Sequence, residues 1–272
     1  MASPARLIVL GSGSAVPRAE RGTSCYLVDD GAGDVLLVDL GPGALQRAAS
    51  AGYPLERISG VLLTHVHPDH CADLVHLLFA LRSPSVPQRV PSLRVVGHPE
   101  VALLMSRLRN AWRGWLASPG EGHRVHVAGP GASFEFGSTR ARAFDVEHHS
   151  SSLGWRLTLP DGFELAFSGD AIEGAQLADL GAHADLFVLE GAVPEARPFG
   201  RHLTPRRAAR LARDCAARAL LLTHFYPETD REDVAAAVSD TFSAAWALAA
   251  DGQQISLRAP LPRDFAAPLS PR

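Results

Sequence analysis

Residues 64–70 read Thr-His-Val-His-Pro-Asp-His. Three histidines and an aspartate so close together cannot be folded into an apolar core, because each brings polar groups that need partners. The stretch follows the apolar run 60–64 and precedes a helical pattern, so it stands at a strand-to-helix turn. Alternate residues of an extended chain share a face. His65 and His67 therefore point one way before the turn brings Asp69 and His70 round from another. Imidazole and carboxylate donors suit zinc, iron or manganese, and a cluster this dense suits two ions better than one. The competing reading, a solvated loop that happens to be rich in histidine, leaves the spacing unexplained.

The rest of the chain offers a scaffold for such a turn. Apolar runs at 6–10, 25–28, 35–39 and 60–64 read as strands, with a hairpin-type turn at 31–33, while 44–51 and 71–82 read as helices. A strand at 94–96 and a long amphipathic helix over 98–116 follow. Residues 124–164 alternate as antiparallel strands do, with Asp161 and Gly162 at a hairpin turn, and 165–168 and 186–189 are further strands. Thr204 and Pro205 mark a helix start, a capping hydroxyl before a proline at the first helical position. That helix runs to about residue 218 and feeds a strand at 219–223. The pattern predicts a last helix from near Asp230 to Gly252, with Glu232 and Asp233 in its first turn, and a terminal strand at 253–257. Antiparallel strands followed by strand–helix alternation occur twice, without a sequence repeat. The order predicts an α+β fold, a sandwich of two mixed sheets flanked by helices on both outer faces. No linker of disordered composition separates the halves. Residues 1–258 are expected to form one domain, and the proline-rich stretch 259–272 a loose tail.

Composition narrows function more than fold. All 26 basic residues are arginine, so chemistry that needs a lysine ammonium, such as a Schiff base or a P-loop, is excluded. A formal net charge of −3 argues against a protein that coats polyanions. Cys25, Cys71 and Cys215 are odd in number and widely spaced, which favours a reducing compartment over a disulfide framework. No apolar run reaches the length of a membrane span, and 7–10 is too short for a secretory core. The expectation is a cytoplasmic protein with no membrane partner.

His65-x-His67-x-Asp69-His70 resembles the signature of the metallo-β-lactamase superfamily of dinuclear metal hydrolases. The resemblance extends from Leu7 to about Leu257. Val38-Asp39-Leu40-Gly41 is similar to the acidic strand end whose aspartate supports the metal loop. His148 precedes Gly154-Trp155 at the distance of a ligand histidine. Ser168-Gly169-Asp170 resembles the stretch with the bridging aspartate, and Leu222-Thr223-His224-Phe225 the one with the last ligand histidine. The likeness narrows toward the ribonuclease Z-like branch. Residues 10–17, with Arg21 and Ser24, look like its opening loop. Leu189-Glu190-Gly191 stands at a His-Glu-Ala-Thr stretch, with the histidine replaced by Leu189. Gly200-Arg201-His202-Leu203-Thr204 looks like a Gly-His-Ser-Thr motif with one residue inserted. Asp73 departs from a common glycine.

The resemblance implies an αβ/βα four-layer sandwich and two divalent metal ions, zinc first, with manganese or iron as substitutes. One ion would be held by His65, His67 and His148 and the other by Asp69, His70 and His224, with Asp170 bridging and Asp39 behind the ligand loop. It also implies catalytic roles for Asp69, which would orient the water, and for Glu190 and His202, beside the scissile phosphate. Alternation along a strand allows only one of His148 and His149 to turn inward, and family spacing selects His148. Cys71 follows a ligand directly but takes a slot that family members fill with small apolar residues, so it is read as packing. Ser12, Gly13 and Ser14 could offer N–H groups to a phosphate. Arg206, Arg210 and Arg213, like Arg107, Arg109 and Arg113, read as solvated faces or, alternatively, as contacts to a polyanion.

The expected function is a phosphodiesterase acting on a small phosphodiester or cyclic nucleotide through a metal-bridging hydroxide. The alternatives are a tRNA 3′-processing endonuclease, a lactonase or thioesterase on the same scaffold, and, more distantly, a di-iron redox enzyme. A long arm for gripping tRNA has no room between His148 and Asp170. Nucleic acid is therefore the less favoured partner, and the reading leaves room for a homodimer.

Overall fold

Strands that are buried along their whole length must be covered on both faces. The computed structural model, which describes residues 4–86, 93–116, 123–231 and 233–265, meets that demand with four layers. The chain runs β1 (Arg6–Gly11), β2 (Cys25–Asp29), β3 (Val35–Val38), α1 (Ala44–Ser50), β4 (Gly60–Leu62), α2 (Pro68–Cys71), α3 (Leu74–Ala80), β5 (Leu93–Gly97), α4 (Pro99–Ala111) and β6 (His123–Val127). It continues through β7 (Ser133–Phe136), β8 (Thr139–Asp145), β9 (Leu153–Thr158), β10 (Glu164–Phe167), α5 (Ala175–Gly181), β11 (Leu186–Glu190), α6 (Pro205–Asp214), β12 (Ala219–Thr223), α7 (Val234–Ser239), β13 (Ala245–Leu248) and β14 (Gln254–Ser256).

One sheet has the order β14-β1-β2-β3-β4-β5-β6 and the other β13-β12-β11-β10-β9-β8-β7. Both are mixed: β3 to β6 and β10 to β13 pair in parallel, and the remaining neighbours are antiparallel. Side-chain alternation sorts the core. On β1, Leu7 and Val9 face the space between the sheets, where they join Trp155, Phe167 and Val188. Ile8 and Leu10 face outward, against Ala44, Leu74, Leu77 and Met105 of the helices. On the far side, Phe187, Leu189 and Leu220 pack under Leu177, Ala208, Ala212 and Val238.

Several elements differ from the sequence pattern. Residues 230–252 are not one helix: a 3-10 turn, Thr229–Arg231, leads to α7, and 245–248 form the strand β13. The alanine-rich run has helix propensity, but Ala245 to Leu248 complete the otherwise open edge beside β12. Strand β6 belongs to the first sheet, parallel to β5, not to the antiparallel run. The helix expected at 71–82 starts at Pro68 and breaks before α3, where the Asp73 carboxylate leaves the helix pattern to accept the N–H of Leu45. The helix expected at 98–116 ends at Ala111, before a 3-10 turn, Arg113–Leu116. Helix α6 ends at Asp214, before 218, because Ala216 takes a left-handed backbone. Helix α5, seven residues long, is too short to announce itself by periodicity. The chain beyond 258 still packs: Leu261 and Phe265 lie against the inter-sheet core, and the rest of the expected tail, 266–272, lies outside the described residues. No helix among those residues is long and apolar enough to cross a membrane.

β3, β4, β8, β10, β11 and β12 all point the same way, so the turns after their carboxyl ends gather at one edge of the sandwich. Ligand sites of α/β sheets form at such edges. Trp155 braces this arrangement from the second sheet. Its buried indole N–H donates to the carbonyl of Leu63, 3.0 Å away, one residue before the histidine-rich turn. Trp155→Phe removes that donor and strands a buried carbonyl. It is expected to lower stability by about 1–3 kcal/mol, read as a lower midpoint in urea unfolding.

Candidate metal centre

The turn after β4 is built to present rings. His67 ends the extended segment and precedes Pro68 at the first position of α2, where proline's missing N–H costs nothing. The N–H of His70 then bonds back to the carbonyl of His67 at 3.0 Å. Behind the turn sits Asp39, at the end of β3. Its carboxylate accepts from the N–H of Thr64 at 2.8 Å, from the Thr64 hydroxyl and from Nδ1 of His70 at 2.6 Å. Because the Thr64 hydroxyl is committed to Asp39, its oxygen accepts from Nδ1 of His65, 3.0 Å away. Both rings are thereby held with Nε2 facing forward, the kind of outer support that fixes tautomer and angle in metal sites.

Asp170, in the turn after β10, lies at the point of convergence and is 3% exposed. Its Oδ2 faces Nε2 of His65 at 3.8 Å and Nε2 of His148 at 3.7 Å. Its Oδ1 faces Nε2 of His70 at 3.2 Å and Nε2 of His224 at 3.3 Å. His67 joins the first group through Nδ1, 2.9 Å from Nε2 of His65. Asp69 joins the second, with Oδ2 3.7 Å from His70 and 3.9 Å from His224. Among the described residues three sets of side chains could hold a cation, His65–His67–His148–Asp170, Asp69–His70–His224 and an overlapping one, Asp170–His202–His224, each with its donor atoms within 4.8 Å of one another. The structure thus brings all seven expected ligands together, with Asp39 directly behind them.

His148 enters the cluster because its Nδ1 donates to the carbonyl of Arg201 at 2.8 Å, turning Nε2 inward. His149 stays at the rim, half-exposed, bonded to Ser151. Cys71 lies outside both groups, its thiol on the carbonyl of Val66 and pushed up to about 12 by burial. The N–H groups of Ser12 and Gly13 are already given to Asp251 and to the carbonyl of Gly22, so they do not form a phosphate cradle. Arg206 reaches Asp240, Arg210 pairs with Glu173, and Arg213 with Asp214. Arg109 meets His123. These contacts fit the solvated-face reading.

The fit to metal is visible in the unsatisfied atoms. Nε2 of His70, Oδ1 of Asp170 and both ring nitrogens of His224 are buried with no hydrogen-bond partner. Such orphans are rare in folded proteins and call for an ion, a water or a strain reservoir. Burial holds His65 well below the ordinary histidine range and takes His224 down to about 4, so both rings are neutral donors at pH 7. Burial also disfavours charge on His70, yet the carboxylates of Asp170 and Asp39 outweigh it and hold this ring well above the usual range. The cluster demands positive charge at that point, which a cation can supply.

Beside the cluster lies a second pair. Glu190, buried at the end of β11, accepts from the N–H groups of Ala171, Ala192 and Leu203 and from Nδ1 of His202 at 3.0 Å. Burial pushes the carboxyl up to about 7, while Glu190 overcomes the burial of His202 and pushes that ring up to about 9. With three N–H donors on the carboxylate, the proton of the pair resides on His202. The His202 ring lies tilted 5.0 Å from that of His148 and stacks 5.8 Å from that of His224. Sequence reasoning passed over Tyr226, which stands edge-on to both His202 and His224. Its only signal was an aromatic residue two places after the last histidine of the motif.

Residues 35–225 match the family model described as a beta-lactamase superfamily domain. The chain belongs to the metallo-β-lactamase superfamily. An uncharacterized protein of Mycobacterium leprae (strain TN) is 30% identical over 260 residues, covering 94% of this chain and 89% of its own. A ribonuclease Z of Mycolicibacterium paratuberculosis (strain ATCC BAA-968 / K-10) is 31% identical over 241 residues, covering 80% and 85%. Among solved structures, the metallo-β-lactamase fold protein YhfI from Bacillus subtilis superposes with a TM-score of 0.80 at 24% identity, over 93% of this chain and 99% of that one. As a metallo-β-lactamase superfamily member the chain is a metal-dependent hydrolase, and the family implies divalent cations at a site with this donor chemistry.

Replacing Asp170 by alanine removes the one carboxylate that faces both groups and should lower metal content sharply by elemental analysis of the purified protein. Asp39→Ala, which frees the rings of His65 and His70 to rotate, should weaken metal affinity about 10–100-fold. Cys71→Ala should change neither.

Proposed function

We propose that this metal-dependent hydrolase is a phosphodiesterase whose substrate is a small phosphodiester, of the class of cyclic nucleotides and nucleotide diesters. The observation that carries the reading is the Glu190–His202 pair, Oε1 to Nδ1 at 3.0 Å, with the His202 ring centroid 5.0 Å from that of His148 in the His/Asp cluster. An alkoxide leaving phosphorus needs a proton, and a positioned imidazolium is a general acid for it. The relative named ribonuclease Z points to the same class of bond. A small substrate is favoured over tRNA because, between His148 and Asp170, the chain holds only β9, a turn at Gly162 and β10.

We assign two divalent cations, with zinc the first choice, to His65, His67 and His148 on one side and Asp69, His70 and His224 on the other, with Asp170 between them. When bound, such cations supply positive charge for the phosphoryl oxygens and lower the pKa of coordinated water. Asp69, the more exposed of the two carboxylates in the cluster, orients the attacking water and accepts a proton from it. Hydrolysis joins the water oxygen to phosphorus and breaks the P–O bond to the leaving alcohol. That oxygen takes its proton from His202, and Glu190 keeps the ring in place before and after. The buried free cysteines suit the reducing cytoplasm we assign to the protein.

Side-by-side assays on a chromogenic phosphodiester, a lactone and a thioester test the reaction class. Turnover confined to the acyl substrates would reject the proposal. Efficient, site-specific removal of a tRNA 3′ trailer in preference to small diesters at physiological salt would replace the small substrate by tRNA. His202→Ala is expected to lower kcat by about 10²–10⁴-fold with metals retained. The loss should shrink for an acidic phenol leaving group, which departs without a proton; equal losses on good and poor leaving groups would make His202 structural.

A further inference from the structure

We infer that Phe199 and Tyr226 form an aromatic corner that takes the base of a nucleotide substrate, on the side of the site marked by His202. The inference rests on the phosphodiesterase reading and names the part of the substrate that reading leaves open. Among the described residues Phe199 is one of the few large apolar side chains left exposed, at 40%, and it lies in the loop that carries His202. Its ring stands at 82° to that of Tyr226, with centroids 5.1 Å apart. Tyr226 in turn meets His202 at 5.7 Å and His224 at 6.1 Å. A continuous series of rings therefore leads from the cluster to solvent.

The corner is held in place. Gly200, between Phe199 and Arg201, has the left-handed backbone (φ 63°) that turns the loop, and a Cβ there would press on the His202 ring at 3.2 Å. The next carbonyl, of Arg201, is the acceptor that orients His148. On the other wall, the N–H of Tyr226 is fixed to the carbonyl of Ala192 at 3.1 Å. Two rings near a right angle receive a flat heteroaromatic ring against one wall with its edge toward the other. Tyr226 meets His202, whose ring adjoins the His/Asp cluster, so a flat ring seated at the corner lies beside the place where the phosphodiester would be held. A flat ring one sugar away from a phosphate is a nucleobase.

The test titrates the metal-loaded full chain with adenosine 5′-monophosphate and with ribose 5-phosphate, which lacks the base, for wild type, Phe199→Ala and Phe199→Trp. Stacking on an aromatic side chain corresponds to about 5- to 100-fold in affinity. Wild type should prefer the nucleotide by that factor, Phe199→Ala should abolish most of the preference, and Phe199→Trp should keep it. The same ratio should appear in KM between adenosine 3′,5′-cyclic phosphate and ribose 3,5-cyclic phosphate. Equal affinity of wild type for both ligands, or an equal loss for both in Phe199→Ala, would overturn the corner while leaving diester hydrolysis standing. A wild type that prefers the nucleotide but cleaves no phosphodiester would retain the corner as a nucleotide site and reject the reaction.

Discussion

The carboxylate of Asp170 is sunk among four imidazoles, each offering a ring nitrogen within 4 Å. A buried charge in such a place survives only if positive charge or donors compensate it. A single proton can compensate one oxygen on one ring, and it leaves the other orphaned nitrogens where they are. Divalent cations held where the lone pairs converge would satisfy the rings and the carboxylate together. The remainder of the site follows from the need to hold rings at fixed angles around that point. This explains why so much hydrogen bonding lies behind the cluster rather than within it.

The cost of that anchoring shows in the backbone. Asp39 and His224, each just past a strand end, have φ near +62° and +64°. Left-handed backbone at a non-glycine residue costs of order 1–3 kcal/mol, and the structure recovers it in contacts. Asp39 gains the bonds to Thr64 and His70, and His224 gains its place beside Asp170. Gly169, also left-handed, lets the Asp170 turn approach the ligand turn so closely that a Cβ would lie 2.6 Å from that of Thr64. The two sheets are therefore locked at the site itself, with the indole of Trp155 and the Leu153–Thr64 backbone bond as further ties.

What was legible in the sequence was what is local. The turn after β4 carries its whole chemistry in consecutive residues, and the fully apolar runs of β1, β3, β11 and β12 required cover on both faces. The failures lie where a distant partner decided. Residues 245–248 look helical by themselves and become a strand because β12 has an open edge; β6 alternates like a meander strand but pairs with β5. Alternation said that one of His148 and His149 must turn inward, and the partner that selects, the carbonyl of Arg201, lies 53 residues away. Asp39 was visible only by resemblance, since an aspartate at a strand end has no local mark of its purpose. Phe199 and Tyr226 sit in loops, where periodicity carries no information, and became notable only once folding placed them beside His202.

The division of labour between strand ends and one loop has a consequence for how substrate choice is encoded. All seven side chains in the cluster come from segments that follow strand ends, those of β4, β8, β10 and β12, and one of them, His148, is also locked by the 191–204 loop. That loop also carries Phe199, His202 and the backbone donor of Leu203 to Glu190. The exposed Arg201–Glu147 pair contributes little to holding it; the buried contacts of Glu190 and the His148–Arg201 bond do the holding. Side chains of the loop that point away from those contacts can change without disturbing the ligands, because the restraints pass through backbone atoms and a buried carboxylate. The base-binding role we propose for Phe199 therefore sits at a position free to vary, on a cluster whose geometry the strands have already set.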